Sequence, residues 1–178
     1  MAELGENYFC MEEIRSDDER TSFISELLPK VIKIAKSSTL GYKETFSQVE
    51  PSEITTLKDL TKIPVLRKSD LLNQQKVYPP FGGFEISNEF ASTHVFQSPG
   101  PIYEPGTRGK DWGRFAPFLY AAGVRRDFRL QNCFSYHLTP AGMMFEEGAL
   151  QIGAKVLPAG TGQTELQAKA AAFLKTQV

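Results

Sequence analysis

The sequence predicts an α/β protein in which a helical amino-terminal cap is followed by an incomplete layered α/β sheet unit. Three observations point that way. Residues 1–88 carry helix caps and apolar residues at three- and four-residue steps. Beyond the Gly- and Pro-rich break at 79–84, residues 90–96 alternate as a half-buried strand does. From residue 128 onward, strand and helix patterns follow one another in turn. The expected organisation is a helical region over 1–88 and an α/β subdomain over 89–178 that is incomplete at its carboxyl end.

In the first region, Ser16 and Glu19 form a capping-box pair, since each side chain can satisfy the other residue's unpaired backbone N–H. A helix is expected to start there and to carry Phe23, Leu27, Val31 and Ile34 as one apolar stripe. Pro29 should kink or restart it. Gly41 lies just past its expected end. Residues 51–60 and 68–75 offer two short helices, joined by an extended link because Pro64 biases Ile63 out of the α region.

In the second region, residues 98–109 read as a long loop punctuated by Gly and Pro. Trp112, Phe115, Leu119 and Ala122 share one face of a helix expected over 110–122, which Gly123 closes. Then come strand 128–134, helix 140–152, strand 154–158 and helix 164–175, with a further strand due at Gln177 and Val178. Two or three parallel strands leave unpaired edges and little area with which to cover both faces. An incomplete sheet follows.

Bulk properties exclude several function classes. The 178 residues include 20 Lys and Arg against 21 Asp and Glu, a net charge of -1, scattered along the chain. No basic field for nucleic acid is present, and no apolar run approaches the roughly 20 residues of a membrane span. The amino terminus shows neither a basic n-region nor an apolar h-region, which reads as a cytoplasmic protein with no nucleic-acid or membrane partner. Cys10 and Cys133, the only cysteines, fit no metal-ligand spacing and read as reduced thiols; no metal site is expected.

Three segments carry candidate chemistry. Ser98 and Gly100 follow a strand and could offer a hydroxyl and a closely approaching backbone to a phosphate, although Pro99 and Pro101 each remove an N–H. As an isolated feature the segment is better explained as a surface turn. Gly160–Thr164 lies between a strand and a helix, where open α/β sheets place ligands, but Thr164 and Gln167 also read as a capping box that explains the turn structurally. Residues 133–137 leave a strand end for a polar and aromatic loop ahead of Met143, Met144 and Phe145. Tyr136, His137 and Met143 are the candidate pocket residues there. Ser135 lacks the glycines of a nucleophile elbow, and Glu146 and Glu147, adjacent on a helix, point to different faces. No catalytic residue is assigned.

The order of elements and several segments resemble the amino-terminal part of the phenylacetate-CoA ligase group of adenylate-forming enzymes, the acyl-CoA synthetases. The resemblance spans nearly the whole chain and is most specific in Leu57–Leu60 with Ile63–Leu71, in Ala121–Arg125, and in Gly142 through Gly148–Pro158 and Gly160–Glu165. It implies the first part of such an enzyme's large domain. It further implies a ligase that uses ATP and magnesium to turn a small carboxylic acid, aryl or related, into an acyl-adenylate and then passes the acyl group to coenzyme A. In that group a loop of the form Ser-Ser-Gly-Thr-Thr-Gly-x-Pro holds the phosphates. The aligned segment here is Phe96–Pro105, in which Ser98 and Gly100 are the remaining phosphate contacts. The group's later nucleotide-binding motifs and catalytic lysine have no counterpart before Val178, so the chain alone is expected to be inactive and to hold no cofactor tightly. Tyr136, His137 and Met143 would suit an apolar acid. Two further readings stay open: a non-catalytic binding module in which homodimerisation covers the sheet edge, and a small nucleotide binder using Gly160–Thr164.

Overall fold

The computed structural model describes residues 7–86, 92–107, 109 and 111–178. The described residues divide into two units, one drawn from Arg15–Ser92 with Pro99–Pro105, the other from those up to Ile14 together with Thr93–Ser98 and the described part of Gly106–Val178. Among the described residues no helix is long and apolar enough to cross a membrane.

The helical unit opens with α1, Asp17–Ser38, and its expected cap is in place. The Ser16 hydroxyl accepts the Glu19 N–H at 3.2 Å, and the Ser16 N–H donates to the Glu19 carboxylate at 2.8 Å. Pro29 neither breaks nor restarts the helix, which runs unbroken for 22 residues. One missing backbone bond is tolerated because the following turns are anchored: Ile32 and Ala35 pack with Phe46, Val49 and Ile54, and the Lys36 ammonium donates to the Val49 carbonyl at 2.8 Å. The expected apolar stripe is one face of α1, and that face is exposed while Ile32 is buried. Gly41 falls inside α2, Leu40–Thr45, whose amino end is capped by the Thr39 hydroxyl.

The single helix expected over 51–60 is instead two 3₁₀ turns, Pro51–Glu53 and Leu57–Lys62. The Asp59 carboxylate takes the N–H groups of Thr55 and Thr56 at 3.2 and 2.9 Å, and this capping box starts a new turn where the helix would have continued. Ile63 is extended, as Pro64 requires, and α3 follows at Lys68–Val77. Gln75 is buried on α3, and its side-chain amide pairs with both backbone groups of Tyr103 at 2.7 and 3.0 Å.

That pairing bears on the largest correction. The segment read as a loop over 98–109 contains a strand: β1, His94–Ser98, and β2, Ile102–Gly106, form a two-stranded sheet, with Pro99–Pro101 as its turn. Part of the strand expected at 90–96 lies outside the described residues. Gly and Pro that suggested irregular backbone mark a tight reversal, and the Gln75 amide gives β2 a partner that no local pattern reveals.

In the α/β unit, α4 spans Phe115–Ala121 rather than 110–122. Arg114 is left-handed, and the buried Asp111 carboxylate accepts the N–H groups of Phe115 and Ala116 at 2.7 Å each, capping the helix from outside it. Trp112 therefore precedes the helix and stacks on Phe96. Gly123 closes it as expected. Asp111→Ala is expected to lower stability by about 2 kcal/mol, read as a lower urea midpoint, because two helix donors lose a charged acceptor.

Strand β3, Arg129–Asn132, pairs in parallel with β4, Lys155–Pro158, and α5, Ala141–Ile152, forms the crossover. Leu130, Leu119, Ala149, Ile152 and Val124 build the core between this sheet and α4 and α5. Helix α6, Thr164–Leu174, follows without the expected capping box: Gln163 is left-handed and no side chain caps the turn. At the opposite edge of β3 from β4, the Gln177 N–H donates to Arg129 O at 3.0 Å and the Gln131 N–H donates to Val178 O at 2.8 Å. The residues expected to open a further strand thus lie along β3.

Candidate functional site

The carboxyl end of β3 gathers two loops, residues 133–140 and 159–163, in the position where parallel α/β sheets place ligands. Asn132, the last residue of the strand and only 2% exposed, joins them. Its carboxamide oxygen accepts the Phe134 N–H at 3.1 Å; its amide nitrogen donates to the Tyr136 hydroxyl at 2.7 Å and to the Gly142 carbonyl at 2.8 Å. Its backbone carbonyl accepts the Gly160 N–H at 3.0 Å. Sequence reading passed over Asn132. The signal was its place at the strand end, two residues after Leu130 and so on the same inward face, where an unpaired polar group would be costly.

Tyr136 is half-buried. Burial, a hydrogen bond to the Glu146 carboxylate and that group's charge hold its hydroxyl well above the ordinary tyrosine range, against a smaller opposing effect of Asn132. It is a neutral donor fixed between two partners, suited to shaping a loop. His137 is exposed, and its backbone is held by Ser135: the Ser135 hydroxyl accepts the His137 N–H at 3.1 Å. Met143 is half-buried on the first turn of α5.

Beside the strand end lies an apolar hollow of about 310 Å³ lined by Leu119, Leu130, Phe134, Phe145 and Val178, with Gln131, Asn132 and Cys133 along its strand side. Phe134 and Phe145 stack with ring centroids 4.1 Å apart, and the Gln131 side-chain oxygen is buried without a hydrogen-bond partner. Tyr136, His137 and Met143 do not line this hollow. The loop that carries Tyr136 and His137 starts with Cys133 and Phe134, which do.

Strand β1, which ends at Ser98, meets the same loop. The Gln97 N–H, on β1, donates to Leu138 O at 2.9 Å, and Leu138 adopts a left-handed φ of +62° to present it. Ser98 ends β1, and Gly100 lies in the turn with φ +148°, a region open to glycine. With Pro99 and Pro101 on either side, Gly100 supplies the only backbone N–H between Ser98 and Ile102. The Gly160–Thr164 loop is tied from within: the Gln167 amide donates to the carbonyls of Gly160 and Gly162 at 2.8 and 2.7 Å. Among the described residues no three His, Cys, Asp or Glu side chains converge as metal ligands.

The architecture is that of the amino-terminal part of an adenylate-forming CoA ligase. It superimposes on a crystal structure of 2-hydroxyisobutyryl-CoA ligase in complex with 2-HIB-AMP with a TM-score of 0.79, covering 97% of this chain and 40% of that one at 24% identity. An open form of that ligase with 2-HIB-AMP and CoA gives the same TM-score at 23% identity. By sequence, the chain is phenylacetate-CoA ligase-like. It is 33% identical over 126 residues to the phenylacetate-coenzyme A ligase of Thermus thermophilus, covering 67% of this chain and 27% of that enzyme. It is 29% identical over 166 residues to that of Escherichia coli K12, covering 88% of this chain and 37% of the enzyme. The chain thus spans roughly a third of the length of these curated relatives. No family model matches it.

Proposed function

We propose that this chain supplies the amino-terminal part of an ATP-dependent acyl-CoA ligase, one that activates an aryl or related carboxylic acid as its acyl-adenylate and passes the acyl group to coenzyme A, and that it does not turn over alone. The supporting observation is the agreement of two comparisons: sequence similarity to phenylacetate-coenzyme A ligases and a fold shared with a ligase solved with an acyl-AMP and CoA.

In this reading the turn holding Ser98 and Gly100 faces nucleotide phosphate, offering one hydroxyl and one N–H, and the loop with Tyr136, His137 and Met143 shapes the acyl end. The apolar body of the acid rests in the hollow beside the stacked rings of Phe134 and Phe145, where burial of an aromatic ring is favourable. Tyr136 contributes by holding the loop to Asn132 rather than by proton transfer, since its hydroxyl is kept protonated. Magnesium, which keeps several waters and binds through substrate phosphates, would neutralise phosphate charge; it needs no dedicated cluster of protein ligands.

Titration of the isotopically labelled chain with phenylacetate tests the acyl end. Shifts centred on Phe134, Phe145 and Leu130, and lost in Phe134→Ala, are expected. Shifts confined to the groove lined by Ser37, Lys43 and Tyr78 would contradict the assignment. A second reading, a non-catalytic module, draws on one observation: the two prolines that reduce the phosphate turn to a tight reversal. ATP binding that is unchanged by Ser98→Ala would favour that reading.

A further inference from the structure

Helix α1 presents to solvent a face that its own unit does not use. Phe23, Leu27, Val31 and Ile34, spaced by four, four and three residues, are 41–52% exposed. The opposite face, with Ile32 and Ala35, is packed. Four large apolar side chains in line on a helix of 22 residues, some 33 Å long, are more than the scattered exposed hydrophobics of an ordinary surface. The Arg15 guanidinium sits over the Phe23 ring at 4.1 Å, holding one end of the stripe in place.

We propose that this face binds a second copy of the same chain through antiparallel packing of α1 against α1. The charge pattern selects both occupant and direction. At roughly 100° per residue, Glu19, Glu26, Lys30 and Lys33 all fall along one edge of the stripe, acidic in the amino-terminal half and basic in the carboxyl-terminal half. A two-fold axis that sets the helices antiparallel brings this same edge of both copies side by side with its order reversed. Glu26 of one copy then meets Lys30 and Lys33 of the other, twice over. A parallel two-fold would put the edges on opposite sides and leave them unmatched. Glu26, Lys30 and Lys33 are exposed and make no ion pair with other described residues, so they are available for this. The proposal does not depend on the enzymatic reading; it uses residues of α1 alone.

Sedimentation equilibrium of the full 178-residue chain across a concentration series tests it. A reversible monomer–dimer equilibrium is expected, doubling the 19.9 kDa mass. The double variant Lys30→Glu with Lys33→Glu should weaken association at least about tenfold, and Glu26→Lys should do the same, by placing like charges opposite each other. An equimolar mixture of those two variants should recover the dimer, as should the triple variant, because antiparallel pairing then opposes unlike charges at both ends. Helicity by circular dichroism should be unchanged throughout, since the altered side chains are exposed. A monomer at every concentration would overturn the proposal, assigning the face to another segment or protein. A dimer indifferent to the reversals, or a mixture no tighter than its components, would overturn it equally.

Discussion

Replacement of Asn132 by alanine is expected to lower the stability of the α/β unit by about 3–4 kcal/mol, because one truncation removes three hydrogen bonds that tie the 133–140 loop and the first turn of α5 to the end of β3. The Phe134 N–H, the Tyr136 hydroxyl and the Gly142 carbonyl all depend on this carboxamide. Urea unfolding followed by circular dichroism should show a lower midpoint with little change in slope. Tyr136→Phe, which deletes one of the three bonds together with the bond to Glu146, should cost about 1–2 kcal/mol. Equal losses for the two variants would mean that Asn132 does not act as the junction described. The same bonds place Phe134 at the hollow and set where the loop toward Leu138 meets β1.

Gly148→Val should cost about 3 kcal/mol or more and show chiefly as loss of cooperative unfolding. A Cβ at 148 would lie 2.7 Å from Cβ of Phe115 and 2.9 Å from the backbone nitrogen of Ala116, so α4 and α5 cross where only a hydrogen fits. Backbone cannot rotate away as a side-chain end can. The helices would separate, and the core around Ala116, Leu119 and Ala149 would open with them. Two residues along the same helix, Leu150 is 49% exposed, and Leu150→Ala should stay within about 0.5 kcal/mol. A small effect at 148 would mean that the helices do not approach so closely.

The contrast between these positions shows which features the sequence made legible. The Ser16–Glu19 cap, α3, α5, β4 and α6 were readable to within a few residues because their causes are local: a cap, a period, a closing glycine. What was not readable depends on partners distant in the chain. Strand β2 is completed by Gln75, 28 residues earlier, and α4 is started by an Asp111 carboxylate that a helical pattern over 110–122 conceals. The direction of the α1 stripe could not be taken from periodicity, which finds a face but not what covers it. Gln167 was read as half of a capping box, yet its amide bonds Gly160 and Gly162 because Gln163 turns left-handed first. At the candidate site, the sequence drew attention to Tyr136 and His137 as the polar and aromatic end of a strand, whereas Phe134 and Asn132, which line the hollow and hold the loop, were passed over. Their roles arise from Phe145, Gly142 and Gly160, at sequence separations no motif spans.

The central claim is that these residues are one part of an acid-activating ligase and lack turnover by themselves. Acid-dependent pyrophosphate release from ATP and magnesium, measured on the purified 178-residue chain with phenylacetate and other aryl acids, tests it most directly. Release no greater than in the absence of protein is predicted. Sustained release that requires both the acid and the chain would contradict the account.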